Sequence, residues 1–384
     1  MKRLIVCCDG TWQGLGNTSR TNVATLAAMI QRVDPTGVHQ VLHYSEGIGS
    51  HGNPLARLKG GAFGHGIDDS IQTAYQFLCA NYEPGDHIYL LGFSRGAYTV
   101  RSLAGMIYCS GLLRREFIHK GTEAYQLYRN RQDKPSGYLA QEFRAAWGHR
   151  VPWSSLPEAL LPTDQELNPQ GSTQLPIKGL GCWDTVGSLG IPNLSGWLGG
   201  LNAWINRKYR FHDTELNRYI EQGFHAVAVD ERLQVFDITP MEPSTHLDPS
   251  QVKQFWFPGN HGCVGGGTAE TQPLAQGALR WMMEQVGSLG LTFKDLPETG
   301  EAGDPLCPFP AQPQGVFRLA RQRCRDPYQD LAQNQPLTMD DLHSSTKQRW
   351  QRDPGYRPQN LASLGDLKMQ LDQQVEPNDT TPES

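Results

Sequence analysis

An apolar run from His87 to Phe93 has the near-continuous hydrophobicity of a central parallel strand buried on both faces. It runs straight into Gly92-Phe93-Ser94-Arg95-Gly96, a G-x-S-x-G pattern, and a helical pattern from Arg95 to Ser110 opens at once. A serine between strand and helix, with glycines two residues to either side, reads as a nucleophile elbow. The turn is tight, and side chains at Gly92 or Gly96 would collide with the neighbouring strand or helix. The plainer reading of Ser94 is a helix N-cap.

Around this element, apolar runs alternate with helical patterns. Leu4–Cys8, Gln40–Tyr44, Pro176–Trp183, Leu233–Ile238 and Lys253–Phe257 read as further strands. Thr21–Arg32, Ile67–Tyr82, a stretch near Thr122–Arg131 and Leu274–Val286 read as helices. Such alternation predicts an α/β fold: a mostly parallel sheet with helices on both faces, carrying inserted cap or lid segments. The expected organisation is a catalytic unit over 1–290, with 112–175 and 191–212 as candidate insertions. A C-terminal extension over 291–374 packs on it, where composition shifts toward Pro, Gln, Asp and Glu, and 375–384 forms a loose tail. Within the second insertion, Asn193–Tyr209 has helical spacing and a bulky apolar face, suited to an acyl pocket, a lipid surface or ordinary packing.

The 384 residues hold 34 Lys+Arg against 39 Asp+Glu, a net charge of −5, which argues against a nucleic-acid binder. No apolar run reaches the roughly 18 residues of a membrane span, and Leu4–Val6 is too short for a signal peptide. The eight cysteines form no C-x-x-C pair, so neither a structural zinc site nor a redox pair is expected, and reduced thiols point to cytosolic synthesis. No cofactor or metal is implied.

A serine hydroxyl needs a base, and the base an orienting acid. In the order serine, acid, histidine, Asp184 follows the strand pattern that ends at Trp183, with Asp230 and Asp237 as rivals. His261 follows Phe255-Trp256-Phe257-Pro258-Gly259-Asn260 and competes with eleven other histidines. For the oxyanion, the backbone N–H of Arg95 is the expected first donor, and that of Gly10 or Thr11 the second. Asp9 is read as a support for that loop. The opening strand-Asp9-Gly10-Thr11 also suggests a haloacid-dehalogenase-type phosphatase, but the nucleophilic Asp that this chemistry needs two residues earlier is Cys7 here. A third alternative is a hydrolase-fold binding protein without turnover.

Taken together, Cys8-Asp9-Gly10-Thr11-Trp12, Gly47-Ile48-Gly49, Gly61-Ala62-Phe63-Gly64-His65-Gly66, Gly92–Tyr98, Trp183–Gly190 and Phe257-Pro258-Gly259-Asn260-His261 resemble an α/β-hydrolase family. That family was once catalogued only as a domain of unknown function and includes type VI secretion phospholipase effectors. Asp230-Glu231-Arg232 and Leu342-His343-Ser344-Ser345 are weaker echoes. The resemblance implies hydrolysis of lipid or phospholipid esters, with transient contact to a membrane surface. It sets nucleophile, acid and base on Ser94, Asp184 and His261. It also implies that relatives commonly carry an Asp where this chain has Cys263.

Overall fold

The computed structural model describes residues 1–10, 19–47, 62–130, 137–149, 177–187, 215–217, 219–243, 248–294, 303–310, 318, 321–330 and 335–374. Six strands form one sheet: β1 (Arg3–Cys8), β2 (Gln40–Ser45), β3 (His87–Phe93), β4 (Ile177–Trp183), β5 (Ile220–Ala228) and β6 (Val252–Phe257). Their order is β2–β1–β3–β4–β5–β6, and every pairing is parallel. The fold class read from the sequence is therefore the observed one.

Among the described residues the α-helices of five residues or more are α1 (Asn22–Met29), α2 (Ala62–Asn81), α3 (Arg95–Ser110), α4 (Gly121–Arg129), α5 (Tyr138–Trp147), α6 (His261–Gly265), α7 (Gln272–Ser288), α8 (Ser344–Arg352) and α9 (Gly365–Gln373). Period-2 alternation along each strand splits its side chains between two cores. Leu4, Val6 and Cys8 of β1 pack with Ile88 and Leu90 of β3 against α2 and α3. Ile5 and Cys7 pack with Tyr89, Leu91 and Phe93 against α1 and α7. None of these strand residues is more than 4 % exposed, which is why the runs read as uninterrupted hydrophobicity. Helices α4 and α5, from the first expected insertion, add Ala124, Tyr125, Phe143 and Trp147 to the α2–α3 side. Residues 151–176, the second insertion at 191–212 and the tail at 375–384 lie outside the described residues.

The expected strand Leu233–Ile238 is not one. Gln234–Phe236 forms a 3₁₀ turn, and the strand lies earlier, at Ile220–Ala228. That segment, Ile-Glu-Gln-Gly-Phe-His-Ala-Val-Ala, looks too polar for a central strand. Its one fully buried polar side chain is satisfied across the sheet: the His225 ring bonds Gln254 Oε1 at 2.7 Å and accepts the Thr185 N–H at 3.1 Å. A third apolar cluster joins Val227, Val229 and Trp256 to Leu337, Leu342, Trp350, Leu361, Leu367 and Leu371. The C-terminal residues thus shield the open edge of β6, where Trp256 pairs with Leu342.

The elbow explains its glycines. A Cβ at Gly92 would sit 2.4 Å from Gly96 O, and one at Gly96 only 2.0 Å from Cys8 O on β1. Helix and strand backbones meet where those side chains would be. Gly96→Ala is expected to lower stability by about 3 kcal/mol or more. Gly277→Ala, inside α7 with nothing within 4 Å of the added methyl, should be neutral or stabilising by up to about 1 kcal/mol. Chemical denaturation of the two variants checks the contrast.

Candidate active site

The three residues selected from the sequence sit after the C-terminal ends of β3, β4 and β6, the side of a parallel sheet where ligands bind. Ser94 has φ 57° and ψ −121° and stands at the N-cap position of α3, yet its side chain makes no capping bond. Its N–H is spent on Trp183 O at 3.0 Å. The hydroxyl instead lies 2.9 Å from His261 Nε2. Asp184 has φ 43°; it and Ser94 are the two non-glycine residues with positive φ among the described residues. Backbone held in that region costs about 1–3 kcal/mol per residue and concentrates at functional sites.

His261 opens α6, whose Asn260 cap accepts from Cys263 N. Its Nδ1 lies 2.5 Å from Asp184 Oδ2. With Nδ1–H given to the carboxylate, the lone pair of Nε2 faces Ser94 Oγ, the tautomer a general base needs. The ring is held between aromatics: Phe236 stacks on it at 4.6 Å and 14°, and Phe93 lies at 4.7 Å. The His261 N–H donates to Glu231 Oε2 at 3.0 Å, and Glu231 Oε1 accepts from Arg232 N and Leu233 N. The weak Asp230-Glu231-Arg232 echo thus has a place, tying the loop after β5 to the histidine.

Asp184 is fully buried. Its Oδ1 accepts the Ala228 N–H at 2.8 Å and Arg325 Nη1 at 2.6 Å, and its Oδ2 accepts Arg325 Nη2 at 2.8 Å. Burial by itself would raise this carboxyl. The guanidinium charge, its hydrogen bonds and the His261 ring outweigh burial and hold the carboxyl well below the usual range. Sequence reasoning missed Arg325, 141 residues from its partner.

The rival acids face elsewhere. Asp230 accepts from Gly259 N and Tyr356 OH, and burial pushes its carboxyl up to about 6 against those bonds. Asp237 pairs with Arg323. Burial holds the His225 ring at about 3, so it is neutral near pH 7. Cys263 packs with Leu274 and Cys307, and burial pushes its thiol up to about 12. The carboxylate beside the imidazole is therefore that of Asp184.

Of the expected oxyanion donors, Arg95 is the first residue of α3, in the turn whose amides have no carbonyl four residues back. Gly10 adjoins the nucleophile: a Cβ there would lie 3.3 Å from Ser94 Cβ. Its N–H, however, donates to Asp9 Oδ1 at 2.6 Å. Thr11 lies outside the described residues. Asp9 Oδ2 accepts from Tyr44 OH at 2.6 Å and from Thr21 Oγ1 at 2.7 Å. Burial raises the Asp9 carboxyl, and those bonds pull it back. No helix among the described residues is long and apolar enough to cross a membrane.

A family model described as "T6SS, Phospholipase effector Tle1-like, catalytic domain" matches residues 2–285. The uncharacterized protein YEL023C of Saccharomyces cerevisiae is 30% identical over 263 residues, covering 62% of this chain and 33% of the yeast protein. Among solved structures, the Tle1 effector bound to the VgrG spike of a type 6 secretion system is 16% identical, with a TM-score of 0.34. That likeness covers 70% of this chain and 52% of the effector. An uncharacterized protein from Pseudomonas aeruginosa is 15% identical, with a TM-score of 0.40 over 77% of this chain and 48% of that one. The chain thus spans a third to a half of the proteins it is compared with.

Proposed function

The chain belongs to the family of type VI secretion Tle1-like phospholipase effector catalytic domains, and from that premise we propose that it is a serine hydrolase cleaving carboxylic esters of lipids, phospholipids among them. The observation that carries the reading is the continuous chain of side chains Ser94 Oγ–His261 Nε2 at 2.9 Å and His261 Nδ1–Asp184 Oδ2 at 2.5 Å.

In the proposed mechanism, His261 takes the Ser94 proton as Oγ attacks the ester carbonyl. The tetrahedral oxyanion is held by the Arg95 N–H and by a second N–H, that of Thr11 or that of Gly10 once released from Asp9 Oδ1. The imidazolium faces the Asp184 carboxylate, then gives its proton to the leaving alcohol, forming the acyl-enzyme. The same imidazole activates water for deacylation. The aromatic walls of Phe93 and Phe236 keep water from the ring faces, which strengthens the imidazolium–carboxylate attraction. Residues 1–290 are the proposed catalytic unit, with 112–175 and 191–212 as its proposed cap or lid insertions.

A fluorophosphonate probe reacts with an activated serine and not with an ordinary one. One label per chain is expected, on the peptide carrying Ser94, together with fatty-acid release from phospholipid vesicles. A folded protein that stays unlabelled, or that labels elsewhere, overturns the reading.

A further inference from the structure

We infer that Arg325 is a positioning residue of this site: it clamps the Asp184 carboxylate and the backbone that carries Phe236, so that residues beyond the family-matched region complete the catalytic geometry. The inference rests on the serine-hydrolase reading above and deepens it. The family match ends at residue 285, and Arg325 comes from chain beyond it.

Its side chain is 2 % exposed, and the guanidinium makes four hydrogen bonds. Nη1 donates to Asp184 Oδ1 at 2.6 Å and to Ala228 O at 2.9 Å. Nη2 donates to Asp184 Oδ2 at 2.8 Å and to Phe236 O at 2.6 Å. A planar fork of this kind fixes the plane of a carboxylate, which a lysine ammonium cannot do. The carboxylate then presents Oδ2 to His261 Nδ1, and the residue whose carbonyl Nη2 holds lays its ring on the same imidazole. One side chain thus braces the histidine from its edge and from its face.

The segment bearing Arg325 is fastened to the catalytic unit. Gln234 N donates to Arg321 O at 3.0 Å and Arg323 N to Arg232 O at 2.7 Å, beside the bridge of Leu233 to Gln322. Arg323 pairs with Asp237 at 2.7 Å. Farther on, Leu337, Leu342, Trp350 and Leu361 are buried against Val227, Val229 and Trp256.

The charge matters as well as the fork. The charged groups on the elements packed about His261 are Asp184 at the end of β4, which bonds the ring, Glu231 in the loop after β5, which bonds the His261 N–H, Arg325 in the C-terminal segment, which bonds Asp184, and Arg95 next to Ser94 on α3. Behind them stand His225 of β5, which is neutral, and the Asp237–Arg323 pair. Removing Arg325 leaves the buried Asp184 carboxylate beside the ring without its guanidinium partner. The imidazolium is then stabilised, and a protonated ring cannot accept the Ser94 proton.

The test compares full-length wild type, Arg325→Gln and Arg325→Lys on a soluble p-nitrophenyl ester across pH 5–9. In Arg325→Gln the acid limb of kcat/KM is expected to rise by about one pH unit or more, with kcat at its plateau down about tenfold or more and KM little changed. In Arg325→Lys the limb should return close to wild type while kcat stays reduced, because the charge is restored and the fork is not. A folded Arg325→Gln protein with an unmoved limb overturns the inference. If that variant yields no folded protein, Arg325→Lys still decides, since wild-type kcat in it overturns the inference too. A wild type that neither hydrolyses the ester nor takes the fluorophosphonate label instead removes the underlying reading, so the two failures are distinct.

Discussion

Ser94→Ala should hydrolyse a p-nitrophenyl ester with kcat lowered by about 10⁴–10⁶ and should lose fluorophosphonate labelling altogether. The size of the drop reflects how the site is built. In the proposed mechanism the His261–Asp184 pair, at 2.5 Å, acts only through the Ser94 hydroxyl, so removing the oxygen would idle all three groups. What survives is the help that backbone donors and binding give to attack by water. The fold should not suffer. The Ser94 N–H keeps its bond to Trp183 O, and the lost hydroxyl makes no capping bond. The unfolding midpoint is therefore expected to stay level or to rise. A variant with undiminished turnover excludes Ser94 as nucleophile.

The second large effect falls on both activity and stability. In Asp184→Asn the side-chain amide favours an Nδ1 without its proton, and Nε2–H then points at the hydroxyl it should deprotonate. A kcat loss of about 10⁴ is expected. The same substitution strips the buried Arg325 of its counter-charge, and breaking one side of a buried pair costs about 3–5 kcal/mol. Stability carries a pH signature whose sign follows from the depressed carboxyl. Folding holds Asp184 ionised far below the roughly 3.9 of an unfolded aspartate, so its contribution is fully present above about pH 4. It drains away as pH falls toward the folded value. Denaturant unfolding at pH 7, 5 and 3 should therefore show a constant gap between wild type and variant at the first two, and a narrower one at pH 3. A gap that widens on acidification contradicts the assigned pairing.

Legibility varied along the chain for physical reasons. β3 and α3 run over the residues expected of them, because a fully buried parallel strand and a glycine-flanked turn each leave a local mark. β5 left none. Its Glu221, Gln222 and His225 break the apolar run, and the buried one of the three, His225, is satisfied by Gln254 and Thr185, neighbours that a linear reading cannot see. The apolar Leu233, Val235, Phe236 and Ile238 drew the strand reading to a turn instead. Arg325 lies in Arg-Gln-Arg-Cys-Arg-Asp, which looks like a solvated basic stretch. Arg323 of that stretch is half exposed, while Arg325 is sealed inside.

From the sequence alone came the elbow, its serine and the doubly covered parallel sheet. Those follow from sterics and hydrophobic periodicity, which act between residues close along the chain. The tertiary structure alone decided which charges meet. It brought Arg325 to Asp184 across 141 positions and turned Asp230 and Asp237 toward other partners. A buried charge selects its counter-charge by proximity in space, and that proximity exists only once the chain has folded.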